Sequence, residues 1–189
     1  MKPTLVIMVK VPRPGRVKTR LGRDIGMTSA AWWFRHQIAR LLRRIEDPRW
    51  DVVLAVAPDV EGMTTRCFPK HFTRWPQGGG DLGDRMTRMM RRSGGPVCVI
   101  GADIPGITRS HIADGFAALG NHDVVFGPAP DGGYWLIGAK LGSVLHPKML
   151  NGVRWSTEDA LCDSRAAFAG KKVALIATLA DVDTSDDLP

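Results

Sequence analysis

An α/β fold built on a mostly parallel central sheet is what the sequence predicts, and three observations carry the prediction. Short β-branched apolar runs alternate with segments whose apolar residues recur every three or four positions, the order expected of strands joined by crossover helices. One run, Val97–Gly101 (VCVIG), is apolar throughout, as in a central strand covered on both faces. Glycines, cations and aspartates gather in the segments that directly follow the runs, at the strand ends where open α/β sheets hold ligands. No linker, repeat or low-complexity tract divides the 189 residues, so a single domain over 1–189 is expected.

Residues 4–11 (TLVIMVKV) read as the first strand, and 12–27, with two prolines, three glycines and a cluster of cations, as loop. Thr28 or Ser29 caps a helix to about Ile45, with Ala31, Phe34, Ile38, Leu41, Leu42 and Ile45 on one face. Residues 52–57 form a second strand, ended by Pro58-Asp59. The PQGGG stretch at 76–80 is a loop, from which Asp81 caps a helix carrying Leu82, Met86, Met89 and Met90 inward. After VCVIG, Thr108 caps a helix through Leu119. Residues 124–126 and 134–137 are strands around a Pro-Asp-Gly-Gly turn. Ser156 or Thr157 starts a helix ending near Gly170, and 172–179 is the last strand.

Composition narrows the function. With 44% apolar and 24% charged residues, the chain is globular rather than disordered. Three cysteines without a CxxC exclude a disulfide framework and a zinc ribbon and fit a reducing cytosol. No apolar run reaches the roughly 18–20 residues of a membrane span and no leader pattern opens the chain, so a cytoplasmic location is expected. The net charge of +7 is uneven: residues 1–95 hold 19 basic and 8 acidic groups, and residues 96–189 hold 7 and 11. A basic half suits an anionic partner and an acidic half a cation, although Arg35, Arg40, Arg43, Arg44 and Arg49 also suit a solvated helix face. Zinc-finger spacing, an RNP-like aromatic motif and basic runs interleaved with aromatics are all missing, which makes nucleic acid an unlikely partner. The five histidines show neither HxxxH nor HExxH spacing, and no serine sits in a hydrolase elbow.

The loops carry the chemistry. In Pro12-Arg13-Pro14-Gly15-Arg16-Val17-Lys18-Thr19-Arg20, cations alternate with small or rigid residues. Gly15 permits close backbone approach to an oxygen, Lys18 is a compact charge and Arg20 a planar fork for phosphate, while the Walker spacing is missing. In Gln77-Gly78-Gly79-Gly80 the glycines allow flat approach to a ring or ribose; Arg85 faces phosphate or pairs with Asp81 or Asp84. Asp103, directly after the buried strand, is costly unless paired, and a divalent ion bridging to phosphates is a fitting partner. In Asp181-Val182-Asp183-Thr184 an extended backbone turns both aspartates one way and Val182 the other; Asp183 is a second candidate metal ligand or a helix cap. Asp131 either orients or deprotonates an acceptor hydroxyl or closes an Asp-Gly turn. Trp135 and Trp155 lie close enough in sequence to these loops to stack on a base.

In order along the chain, KxPxPGxVKTRL, QGGGDLGDRM, GADIPGI, GPAPDGGYWLIG, VRWSTEDAL and DVDTSDDL resemble a bacterial family of small transferases with a glycosyltransferase-A (GT-A) fold, often described as radical-SAM-associated. The set is more distantly similar to 2-phospho-lactate guanylyltransferases and molybdenum-cofactor nucleotidyltransferases. The resemblance covers essentially the whole chain and implies a three-layer GT-A fold. It implies that Gly15, Lys18 and Arg20 form the nucleotide phosphate loop; Pro12, Gln77, Gly78, Gly80 and Arg85 are the further candidates for nucleotide contact. Asp103 takes the place of the GT-A metal aspartate, with Asp183 as second ligand to Mg²⁺ or Mn²⁺. Two departures stand out: position 101 is Gly, so the D-x-D of sugar-nucleotide glycosyltransferases is missing, and the chain reaches Pro189 just after D-V-D-T, where a C-terminal helix is expected to be short or missing.

The expected function is therefore a Mg²⁺-dependent, nucleotide-binding transferase taking a nucleoside triphosphate or a nucleotide sugar. Lys18, Arg20, Asp103 and Asp131 carry the chemistry, and a small acceptor, unnamed by the sequence, receives a nucleotidyl or a glycosyl group. The contrasting expectation is a non-catalytic nucleotide sensor or a basic nucleic-acid-binding module.

Overall fold

The computed structural model describes residues 2–187. In chain order the elements are β1 (Thr4–Lys10), α1 (Thr19–Ile25), α2 (Met27–Ile45), β2 (Asp51–Ala57), α3 (Asp59–Thr64), β3 (Thr73–Pro76), α4 (Leu82–Ser93), β4 (Val97–Gly101), α5 (Arg109–Ala118), β5 (Val124–Pro128), β6 (Tyr134–Ala139), α6 (Ala160–Ala167) and β7 (Val173–Leu175). They build one seven-stranded sheet of order β3-β2-β1-β4-β6-β5-β7. Pairings β3–β2, β2–β1, β1–β4 and β5–β7 are parallel, and β6 runs antiparallel to both neighbours.

Strand alternation divides the interior into two cores, one on each face. Leu5, Ile7 and Val9 of β1, with Leu54, Cys98 and Ile100, pack against the apolar faces of α2 and α5. Val6, Val53, Val97 and Val99 point the other way, onto Met86, Met89 and Met90 of α4 and onto Ala160 and Phe168 around α6. Helices thus cover both faces of the sheet, the three-layer arrangement expected. Asp81 caps α4 and Thr108 caps α5, each in a reciprocal capping box with the residue three positions on.

Several elements differ from the sequence reading. Residues 19–25 are helical, not loop: Leu21 is fully buried with Ala30 and Val182, and this packing outweighs the weak helix propensity of Gly22. The next helix begins at Met27, so Thr28 and Ser29 lie inside it and Gly26 caps it. α3 and β3 were not legible, being six and four residues long, too short to show a period. β4 is central but only half parallel, since β6 returns beside it. Leu82, expected inward, is 45% exposed. Helix α6 starts at Ala160 rather than at Ser156 or Thr157, and the last strand is the three-residue β7.

Candidate functional site

The segments that follow β1, β4 and β7 meet at one point of the sheet edge. Lys18, at the N-terminus of α1, takes a left-handed backbone (φ 45°) that sends its side chain inward, where it is 8% exposed. Its ammonium lies 2.6 Å from Asp103 Oδ2, 3.3 Å from Asp183 Oδ1 and 3.8 Å from Asp181 Oδ2. Arg20 adds a bond of 2.7 Å to Asp183 Oδ2. Burial alone, the largest influence, would lower the Lys18 pKa. Asp103 foremost, then Asp181 and Asp183, reverse this and hold it above its ordinary 10.5. Asp181 is driven the opposite way from an ordinary ion-paired carboxylate: burial and the nearby Asp103 raise its pKa, and Lys18 only partly offsets them.

Sequence spacing had set both aspartates of D-V-D on one side, and this is the arrangement found. Val182 is 2% exposed against Leu21 and Ala30, while Asp181 and Asp183 flank Lys18. The third carboxylate, Asp181, was not singled out as a ligand beforehand; the two-residue spacing from Asp183 was the signal for it.

The cluster opens onto a cleft of about 750 Å³, lined among others by Lys10, Arg16, Lys18, Arg20, Asp131 and Glu158. Its two non-glycine residues with left-handed backbone, Lys18 and Ser156, are the only ones of that kind among the described residues. Such conformations cost of order 1–3 kcal/mol each and persist where the surrounding packing imposes them. Ser156 belongs to the 154–159 segment, which Arg154 anchors through a two-pronged bond to Asp163 at 2.9 Å on each prong. Asp131 sits on the cleft wall, and its Oδ1 accepts from the Gly133 amide at 2.9 Å, so it also closes the turn between β5 and β6.

Other expected contacts are placed differently. Pro12 and Gly15 lie outside the cleft lining; Gly15 has φ +74° with open space around it, so it shapes the loop. Arg13 is paired with Glu61. Gln77, expected at the nucleotide, is 3% exposed and donates its amide to the Ala55 and Val9 carbonyls, tying the ends of β1 and β2 together. Gly78 packs against the Arg88 guanidinium, which also holds the Gln77 and Gly79 carbonyls. Gln77, Gly80 and Arg85 together line a smaller recess of about 350 Å³ beside Lys10 and Leu82, with Arg85 Nε donating to the Gly80 carbonyl.

Three carboxylates against two cations leave the cluster one negative charge in excess, and all its donors are the hard oxygens that Mg²⁺ and Mn²⁺ take. Among the described residues no set of three or more acidic, histidine or cysteine side chains forms a metal cage by itself. The donor set therefore suits an ion that keeps only one or two protein carboxylates and completes its shell from a substrate. No described helix is long and apolar enough to cross a membrane.

A family model described as "Uncharacterized protein conserved in bacteria (DUF2064)" matches residues 41–157. No curated protein matches the chain. Among solved structures, a protein described as a candidate nucleotide-diphospho-sugar transferase, from Desulfovibrio desulfuricans G20, is 30% identical, with TM-score 0.84 over 97% of this chain and 83% of that one. CMP:2-keto-3-deoxy-manno-octonic acid synthetase complexed with CTP is 15% identical, with TM-score 0.56 over 98% and 95%. The manganese complex of Rv0371c from Mycobacterium tuberculosis H37Rv is 16% identical, with TM-score 0.51 over 99% and 96%. The expected nucleotide-diphospho-sugar-transferase-like α/β fold is the one the chain adopts.

Proposed function

The chain belongs to the DUF2064 family, and from that premise we propose that it is a nucleotide-binding transferase whose donor phosphates are held by Lys18 and Arg20. One observation carries the reading: a nearly buried ammonium gathered with three aspartates at the mouth of a large polar cleft, at the strand ends of a nucleotide-diphospho-sugar-transferase-like sheet. Buried charge of this kind is costly to keep and concentrates at functional sites.

In this reading Lys18 and Arg20 leave part of their carboxylate pairing for the donor's phosphate oxygens. Asp103 and Asp183 would hold Mg²⁺ or Mn²⁺ together with those oxygens, and the ion when bound would spread the negative charge of the leaving phosphate. The nucleoside end of the donor would enter the recess next to Lys10, against Gly80 and Arg85. The acceptor's hydroxyl oxygen forms the new bond as the bond to the leaving phosphate breaks. Its proton passes to Asp131, and the leaving group keeps the electron pair beside Lys18 and Arg20. Positioning and charge neutralisation then supply most of the acceleration.

A thermal-shift panel of nucleoside triphosphates and nucleotide sugars, with and without Mg²⁺ or Mn²⁺, tests this. At about 100 times Kd a ligand adds about 2.7 kcal/mol to folding stability, which a melting curve reads directly. Asp103→Ala is expected to remove the metal-dependent part of the shift and Lys18→Ala most of the remainder. A panel in which no nucleotide moves the melting temperature overturns the assignment. Released pyrophosphate marks nucleotidyl transfer, and release of a nucleoside diphosphate from a nucleotide sugar marks glycosyl transfer.

A further inference from the structure

Opening off the charged cleft is a chamber of about 210 Å³, whose lining includes Asp103 but no residue of the phosphate loop. The two are continuous: Asp103, Asp131 and Asp181 line both, and so do Met8, Leu82 and Ser156, among others. Sheet order explains the division. The cationic loop follows β1 and the glycine-rich loop follows β3, on one half of the sheet, whereas the chamber sits over the ends of β4 and β6 on the other half.

The chamber walls are apolar. Met8, Met86, Val99, Tyr134, Trp135 and Trp155 supply them. The polar atoms of two of these rings are engaged elsewhere: the Tyr134 hydroxyl lies 3.2 Å from Ser164 Oγ, and Trp135 Nε1 donates to the Ala177 carbonyl at 2.8 Å; the third, Trp155 Nε1, is buried without a partner. Charged groups enter only at the boundary, and all three are carboxylates. A chamber of 150 Å³ with apolar walls is enough to hold benzene, so 210 Å³ admits a somewhat larger ring or a compact branched chain.

Resting on the donor reading above, we propose that this chamber is the acceptor subsite, and that the acceptor is a small neutral alcohol with a compact apolar body. The body sits between Met86 and Trp155, and the hydroxyl reaches the boundary at Asp131. A phosphomonoester acceptor is disfavoured there, because the chamber lining holds carboxylates and no lysine, arginine or histidine to receive its dianion.

Protein carrying ¹³C-methyl methionine provides the test, with benzyl alcohol as probe and glycerol as its polar counterpart. Benzyl alcohol is expected to move the Met8 and Met86 methyl signals and leave those of the surface residues Met27 and Met63, while glycerol moves none. Leu82→Glu puts a charge at the exposed rim and is expected to weaken benzyl alcohol at least five-fold. Saturating nucleotide is expected to leave benzyl alcohol binding in place, since the donor is held by the phosphate loop and the alcohol by Met86 and Trp155, which do not line the charged cleft. An equal response to glycerol, movement confined to Met27 and Met63, or an unchanged affinity in Leu82→Glu overturns the proposal. Mutual exclusion of nucleotide and benzyl alcohol also overturns it, by making the chamber part of the donor site. Nucleotide binding is scored separately by thermal shift: a nucleotide shift without a methyl response rejects the chamber and leaves the donor reading, whereas a methyl response without any nucleotide shift rejects the donor reading and the acceptor role with it.

Discussion

Lys18 is the residue on which the electrostatics of the cleft balance. Its pKa is raised, so the stabilisation from its carboxylate partners is fully present below the ordinary lysine value of 10.5 and is lost as pH rises beyond it. Lys18→Met removes the positive charge and leaves Asp103, Asp181 and Asp183 facing one another. The expected cost near neutrality is about 1–3 kcal/mol, below that of a fully buried pair because the carboxylates are about one-third exposed. Acid should narrow the deficit, since protonation relieves the repulsion, and Asp181 already takes up its proton more readily than an ordinary aspartate. Thermal melts of both proteins from about pH 7.5 to about pH 4.5 check this; a gap that widens on acidification contradicts it. The spacing of Lys18 after a first strand and of Asp181 and Asp183 across Val182 made these side chains readable as candidates. That the ammonium sits among the carboxylates was not readable, because it depends on a left-handed turn at Lys18 that no local signal announces.

At the level of elements, the 154–163 segment and the β5–β6 turn are built as one wall. Gly132 has φ +84°, and a methyl group there would meet the Glu158 backbone, with its Cα at 2.5 Å. Gly132→Ala is therefore expected to cost about 2–4 kcal/mol, since neither the conformation nor the space suits a side chain. Gly152→Ala, with the same φ but open surroundings, is expected to cost about 1 kcal/mol. Urea unfolding of the two variants distinguishes space from conformation. In the same wall, Arg154 holds Asp163 at a pKa of about 2, against an ordinary 3.8. The pair is thus at full strength above about pH 4 and lost as pH falls towards 2. Arg154 also pairs with Asp159 at 2.6 Å, so Asp163→Asn combined with Asp159→Asn should release it and speed tryptic cleavage after it at neutral pH, with little change elsewhere. A helix in this region was readable from a start signal at Ser156 or Thr157 and a stop near Gly170, but its start was misplaced. Ser156 and Thr157 look like caps in sequence, yet Ser156 takes a left-handed turn and the helix begins four residues later.

Across the whole molecule, stability is greatest where both cores meet the central strands. Cys98 in β4 is fully buried between them, and burial raises its thiol pKa well above the ordinary range. A thiol reagent should therefore label exposed Cys162 first, half-buried Cys67 later, and Cys98 only at the rate of global unfolding. Fast labelling of Cys98 in the native protein would show that the centre of the sheet opens locally. By itself the sequence determined the alternation of strands and helices, the inward faces of α2 and α5, the caps at Asp81 and Thr108, and the loops that carry charge, because each follows from spacing or side-chain chemistry within a few residues. Tertiary structure alone decided that β6 returns antiparallel beside β4, that the Gln77 amide braces β1 and β2, that residues 19–25 coil into a helix, and that an apolar chamber opens off the charged cleft. Those outcomes rest on contacts between residues far apart in the chain, whose burial outweighs local preference and leaves no periodic trace in the sequence.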